Sequence, residues 1–137
     1  MSWRFTTKNS SGRFPSRESG QGLVEFALVL PLLAIMILAI VQLGVLYNNY
    51  ETLTDATRAG ARVAAVTAAA TCKATAEQAV RDSAYNLNQG QLTPNATCAV
   101  ASGAQLTVTA TYPYSINLLG FVVKSGTLTS TTKERKE

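Results

Sequence analysis

The stretch SRESGQGLVEFALVLPLLAIMILAIVQLG, residues 16–44, decides how the chain is built. From Phe26 to Val41 it holds no charge and no strongly polar side chain, and its apolar character runs from Leu23 to Leu46. A helix over that span rises about 36 Å, at about 1.5 Å per residue, more than the ~30 Å hydrocarbon layer of a bilayer. A cleavable secretory signal would have an apolar core of about 7–15 residues and a small-residue site after it. Here the run is longer and passes into QLGVLYNNYE. The sequence therefore predicts a retained transmembrane helix over residues 21–47. One carboxylate, Glu25, stands at its mouth, and Pro31 lies inside it, where a missing N–H loosens the helix.

Charge sets the orientation. Arg4, Lys8, Arg13 and Arg17 against Glu18 give the first twenty residues most of the net charge of +4. The next basic residue is Arg58. An excess of Lys and Arg marks the cytoplasmic flank, so the N-terminus is expected inside and the bulk of the chain outside, at a cytoplasmic membrane. No basic patch is interleaved with aromatics as in nucleic-acid-binding surfaces, and no nucleic-acid partner is expected.

Both cysteines, Cys72 and Cys98, follow the apolar run, on the side where disulfides persist. Joined, they would close a loop of about 27 residues and stabilise the fold by roughly 3 kcal/mol in the chain-entropy view. Two free buried thiols are the other reading.

An acid at the mouth of an apolar helix can be an interfacial residue whose carboxylate reaches the headgroups. Its neighbours point elsewhere. Gly20 precedes Gln21, and Glu25 is the fifth residue counted from Gln21. This resembles the leader region of type IV pilin-like proteins. The longer stretch GQGLVEFALVLPLLAIMILAIVQLGVLYNNYETLTDATRAGARVAA is similar to the TadE-like pseudopilins of the tight-adherence (Flp) pilus system. The matching residues are Gly20, Gln21, Val24, Glu25, Phe26, Ala27, Leu28, Leu30 and Pro31, then Ala56, Arg58, Gly60, Ala61, Arg62, Ala64 and Ala65. A looser echo covers residues 107–132.

The resemblance implies a basic prepilin leader over residues 1–20, removed between Gly20 and Gln21 by a membrane-embedded prepilin peptidase. It implies as partners other pilins and pseudopilins, the inner-membrane pilus assembly platform and the lipid bilayer, in a system serving adhesion and secretion. Cleavage would expose an α-amine on Gln21, largely cationic at neutral pH. In a helical bundle that amine can pair with Glu25 of a neighbour. A buried carboxylate without a partner is costly, so the pair would favour one axial register. On this reading Gly20, Gln21 and Glu25 form the processing site, Glu25, Pro31 and Gly60 serve helix register and packing, and Arg58 and Arg62 contact a subunit.

After Leu46 no helix breaker but Gly60 intervenes, and alanine is the best helix former. One helix is expected from about Gln21 to about Ala70, its extracytoplasmic part covering residues 48–70. Ala56, Gly60, Ala64 and Ala68 form one row at i+4 spacing, and Ala61, Ala65 and Ala69 another. Such ridges suit either the domain's own sheet or a partner helix. Arg58 and Arg62 share a face, with Asp55 three residues before Arg58 and Glu51 a turn earlier. That face reads equally as solvated ion pairs or as a subunit contact.

Beyond it a small α+β domain is expected over residues 71–132. Thr75 with Gln78 forms a capping-box pattern that would start a second helix at about Ala76, running to about Leu87. NQGQLTPN reads as a break. Two strands are expected around Ser102–Gly103, the second alternating Leu106, Val108, Ala110 and Tyr112 with threonines and ending at Pro113. FVVKSGTLTSTT suggests a hairpin around Ser125–Gly126, and residues 133–137 a solvated charged tail. INLLGFVV, residues 116–123, either fills the core or forms an apolar patch. The fold class is α+β: a long N-terminal transmembrane helix continuing outside the membrane, a second helix and a small antiparallel sheet.

The chain has no histidine, and its outer carboxylates, Glu51, Asp55, Glu77 and Asp82, show no sign of converging. No phosphate loop or nucleophile elbow is present. No enzyme activity, catalytic residue, metal or cofactor is expected. The leading expectation is a TadE-like pseudopilin or minor pilin. The alternative is a permanently anchored single-pass protein whose outer domain binds a ligand.

Overall fold

The computed structural model describes residues 18–137, with side chains from Gly20 onward. The leader residues Arg4, Lys8, Arg13 and Arg17 lie outside the described residues, as does the side chain of Glu18. The chain divides into two units, Met1–Met36 and Ile37–Glu137. The described part of the first unit is helical throughout, and its large apolar side chains, Leu23 to Met36, are exposed.

Helix α1 spans Glu18–Val66. Pro31 sits in its interior without ending it, leaving the carbonyl of Ala27 without the usual i+4 donor. The helix stops four residues earlier than expected, because the alanine run from Ala64 to Ala70 must turn. Thr67 Oγ donates to the Val63 carbonyl at 2.6 Å, and Ala68 takes an extended ψ of 143°. Helix α2 then spans Ala69–Ser83, with the Thr71 and Cys72 amides donating to the Ala68 carbonyl. The capping box is therefore not used. Thr75 lies inside α2, its hydroxyl bonded to the Thr71 carbonyl at 2.9 Å. The far end of α2 is closed by Gln89, whose amide donates to the Ala84 carbonyl at 2.8 Å.

Three strands form an antiparallel sheet in the order β1-β2-β3: β1 Thr93–Thr97, β2 Gln105–Leu118 and β3 Phe121–Arg135. The α+β class stands. Strand β1 begins inside the stretch read as a break, because Pro94 and Ala96 are buried there; as an edge strand it tolerates the proline. Pro113 does not end β2 either. The β1 ladder stops at Thr111, so Pro113 faces a free edge on one side while β3 pairs it with Thr127 on the other.

The second hairpin turns at Leu119–Gly120, not at Ser125–Gly126. Both turn residues have positive φ, 51° and 88°, the geometry that suits a two-residue loop between right-twisted strands. Gly126 is instead a mid-strand residue opposite Tyr114, whose ring takes the place of a side chain; an added Cβ would lie 2.9 Å from it. Residues 133–137 are not a free tail. Arg135 ends β3, the Lys136 amide donates to the Ala104 carbonyl at 2.9 Å, and the Glu137 amide donates to the Ala65 carbonyl at 3.2 Å.

The core lies between the outer part of α1, α2 and the sheet. Leu53, Ala56, Ala61 and Ala64 from α1 meet Cys72, Ala76 and Val80 from α2 and Leu106, Val108 and Ala110 from β2. Thr57 is fully buried among them, and its hydroxyl is satisfied threefold. It donates to the Thr54 carbonyl at 2.8 Å and lies 3.1 Å from the hydroxyls of both Ser130 and Thr132. That cluster fixes β3 against α1.

The α1 members of both small-residue rows, Ala56, Gly60 and Ala64 in one and Ala61 and Ala65 in the other, are thus buried within the domain, while Ala68 and Ala69 are exposed beyond its end. Gly60 marks the closest approach: a Cβ there would stand 2.5 Å from Val80 Cγ2 and 3.0 Å from the Ala76 carbonyl oxygen. Gly60→Ala is expected to destabilise the domain by about 1–3 kcal/mol through overpacking. Thermal melts of Gly60→Ala with and without Val80→Ala check this, since trimming Val80 should recover part of the loss.

Candidate assembly interface on the long helix

The first unit carries the residues around the expected cleavage point. Among the described residues nothing lies within 4 Å of where a Cβ would stand on Gly20 or Gly22. Gln21 and Glu25 are one turn apart on one face, and the Gln21 side-chain amide donates to Glu25 Oε1 at 3.3 Å. From Phe26 to Met36 this helix presents only apolar side chains, all of them exposed. A window of this helix has mean hydropathy 2.8 with none of it buried. A surface of that kind needs lipid or other apolar helices to cover it.

In the second unit the outer stretch of α1 is two-faced. Leu53, Ala56, Thr57, Gly60, Ala61, Ala64 and Ala65 point inward, while Glu51, Asp55, Arg58 and Arg62 are exposed. Arg58 Nη1 meets Asp55 Oδ1 at 3.3 Å, an exposed pair worth about 0–1 kcal/mol. Among the described residues Arg62 has no ion pair or hydrogen-bond partner. Tyr47, Tyr50, Glu51, Thr54, Asp55 and Arg58 line a shallow depression on this side. The two arginines therefore occupy one solvent-facing strip, with one cation engaged locally and the other open.

Cys72 and Cys98 are joined, with their Cα atoms 6.2 Å apart, tying the first turns of α2 to the end of β1. Sequence reasoning missed the Thr57–Ser130–Thr132 hydroxyl cluster, since isolated threonines in a threonine-rich chain carry no periodic signal. The Leu119–Gly120 turn was missed for a related reason: Ser125–Gly126 is the stronger turn dipeptide. Among the described residues no group of acidic and cysteine side chains is arranged to hold a metal ion.

Residues 20–62 match the family model described as TadE-like protein. No curated protein and no solved structure gives a significant match to the chain. The matched segment begins at the glycine before Gln21, includes Glu25 and Pro31, and ends at Arg62, so it takes in the whole of the strip described above. Over residues 20–62, about a third of its length, the chain is thus similar to TadE-like proteins, and its helix there is long and apolar enough to cross a membrane.

Proposed function

We propose that the protein is a pseudopilin or minor pilin that takes part in assembling or initiating a Flp-type pilus. A prepilin peptidase removes residues 1–20 on the cytoplasmic side, and the freed helix bundles with those of other pilins and pseudopilins at the inner-membrane assembly platform. The observation that carries this reading is Glu25. It is the one carboxylate at the mouth of a membrane-length apolar helix, one turn from Gln21 and hydrogen-bonded to its side chain.

The chemistry follows from the residues. Gly20 leaves the scissile peptide unobstructed. Cleavage leaves a cationic amine at Gln21, and in a helix bundle the amine of one subunit neutralises Glu25 of the next. Pro31 removes one backbone hydrogen bond and lets the helix adjust to its neighbours. Arg58 and Arg62 offer their strip to an adjoining subunit or to lipid headgroups outside the membrane.

Intact-mass and N-terminal peptide analysis of the membrane-extracted protein, from cells with a Flp-type prepilin peptidase, tests the processing step. The expected species starts at Gln21 and disappears when the peptidase is inactivated. A chain that keeps its leader in the presence of active peptidase contradicts the reading.

A further inference from the structure

The tip of the second hairpin is the apolar feature the assembly reading does not use. Leu119, Phe121, Val122 and Val123 are 68, 77, 64 and 62 % exposed, so this stretch does not fill the core beneath the sheet. A contiguous set of exposed large apolar side chains, Leu119 on the turn and Phe121, Val122 and Val123 at the start of β3, marks a surface that something other than water covers. The turn itself is costly for a β-branched or bulky side chain: Leu119, not glycine or asparagine, occupies the first positive-φ position.

The direction of the ribbon shows what covers it. Strand β3 runs alongside α1 within the second unit. The Glu137 amide reaches the Ala65 carbonyl, Ser130 and Thr132 reach Thr57, and Leu128 packs beside Leu43, Leu46, Tyr47 and Tyr50. On the other strand Tyr112 to Ile116 lie beside Gln42, Val45, Leu46 and Asn49. Moving toward the tip is therefore moving toward the apolar end of this helix segment. From Leu128 back to Phe121 the strand covers roughly 23 Å at about 3.3 Å per residue. Ile116, paired with Lys124, already lies beside Gln42 and Val45, so the tip points farther toward the apolar part of this segment, Ile37–Val41 having no polar side chain.

Composition agrees. Between Asp82 and Lys133 the sole charged residue is Lys124, immediately after the apolar tip, where a long stem lets an ammonium reach anionic headgroups. Tyr112 and Tyr114 lie beside helix residues 42–49, and Tyr47 and Tyr50 lie on that stretch of the helix, between the charged outer face and the apolar level, where aromatic side chains sit at a membrane interface. We infer that the hairpin turn, residues 118–123, is a second membrane contact that dips into the outer face of the same bilayer the helix crosses. The insertion is shallow. Past Thr111 one edge of β2 is unpaired, and open strand edges are not tolerated in the hydrocarbon interior, so only the turn enters. The outer domain is thereby held at two points and cannot swing freely about α1 before it is taken into a fibre.

This inference rests on the membrane-spanning reading of α1, and the test separates the two. Trp3 is the chain's one tryptophan. In a Trp3→Phe background a tryptophan is placed singly at Phe121, at Leu33 as the inserted control, and at Tyr85, exposed on the outer domain, as the aqueous control. The full chain is reconstituted at high dilution in vesicles of phosphatidylcholine and phosphatidylglycerol carrying nitroxides either near the headgroup or deep in the acyl chain. The expected result is blue-shifted emission for Phe121→Trp, quenched more by the shallow label than by the deep one. Leu33→Trp should be quenched by the deep label, and Tyr85→Trp by neither. An unquenched Phe121→Trp beside a quenched Leu33→Trp overturns the inference while the span stands. Blue-shifted emission that ignores both labels and fades on dilution overturns it in favour of a contact with a second copy. Loss of quenching at Leu33→Trp removes the spanning reading itself.

Discussion

Replacing Glu25 by glutamine is expected to lower pilus yield at least a hundredfold while leaving the outer domain folded and oxidised. The replacement keeps the shape of the side chain and its hydrogen bond with Gln21 within reach, and removes only the charge. In a bundle of apolar helices that change leaves the neighbour's Gln21 amine without a counter-ion. Removing one partner of a buried pair costs about 3–5 kcal/mol, and about 1.4 kcal/mol is a factor of ten. The same substitution lies in the first unit, remote in sequence from the core of the second, so melting of the outer domain should not move. Glu25→Asp, which retains the charge on a shorter arm, should recover part of the yield. Counting fibres by electron microscopy, with immunoblots of sheared material, provides the readout. Normal maturation and normal yield for Glu25→Gln would leave the helix as an anchor and nothing more.

Loss of the Cys72–Cys98 bond is expected to destabilise the outer domain by about 3 kcal/mol, the chain-entropy value for a loop of this size. The effect should be large because the core is thin. Of the fifteen buried hydrophobic residues, eight are alanines, which bury little apolar area each. A domain of this size has a small margin, so a crosslink supplies much of what its side chains do not. The bond also pins Cys72, fully buried beside Ala64 and Ala76, at the turn where α1 gives way to α2. For a domain near a hundred residues the loss corresponds to a fall of about 12–24 °C in Tm. Calorimetry of the paired substitution Cys72→Ala and Cys98→Ala against the oxidised protein measures it. A shift of only a few degrees would mean that the alanine-rich core suffices alone.

How much of this was legible in the sequence depended on how local the deciding force is. The apolar helix with Glu25 and Pro31 was readable, because hydropathy over a long window is a one-dimensional property. The alternation from Leu106 to Ala110 was readable too, since the core face of β2 obeys a period of two. The break between α1 and α2 was not. Alanine favours helix on both sides of Ala68, and the turn arises only because Gly60, Ala76 and Val80 must meet. The capping-box residues Thr75 and Gln78 offered a local start signal that tertiary packing overrode. In the same way Pro113 read as a strand end, yet a free edge opposite it let β2 run on to Leu118. The charged C-terminal residues are largely exposed, as expected, but their pairing was not legible because the partners, Ala65, Thr67 and Ala104, are distant in sequence. The candidate residues Gln21, Glu25, Arg58 and Arg62 come from the sequence and its resemblance. What required coordinates was that, among the described residues, Arg62 has no such partner while Arg58 meets Asp55.

The claim that joins fold to function is that the amine created at Gln21 neutralises Glu25 of a neighbouring subunit. Zero-length carbodiimide crosslinking reads it directly, since it converts an amine and a carboxylate in contact into an amide. Membranes from cells expressing equal amounts of ¹⁴N- and ¹⁵N-labelled protein, assembled together, are crosslinked, digested and sequenced by mass spectrometry. The account predicts a peptide in which the Gln21 α-nitrogen of one isotope is bonded to Glu25 of the other. Processed, assembled protein that yields no such mixed-isotope amide, or yields it only within single chains, contradicts it.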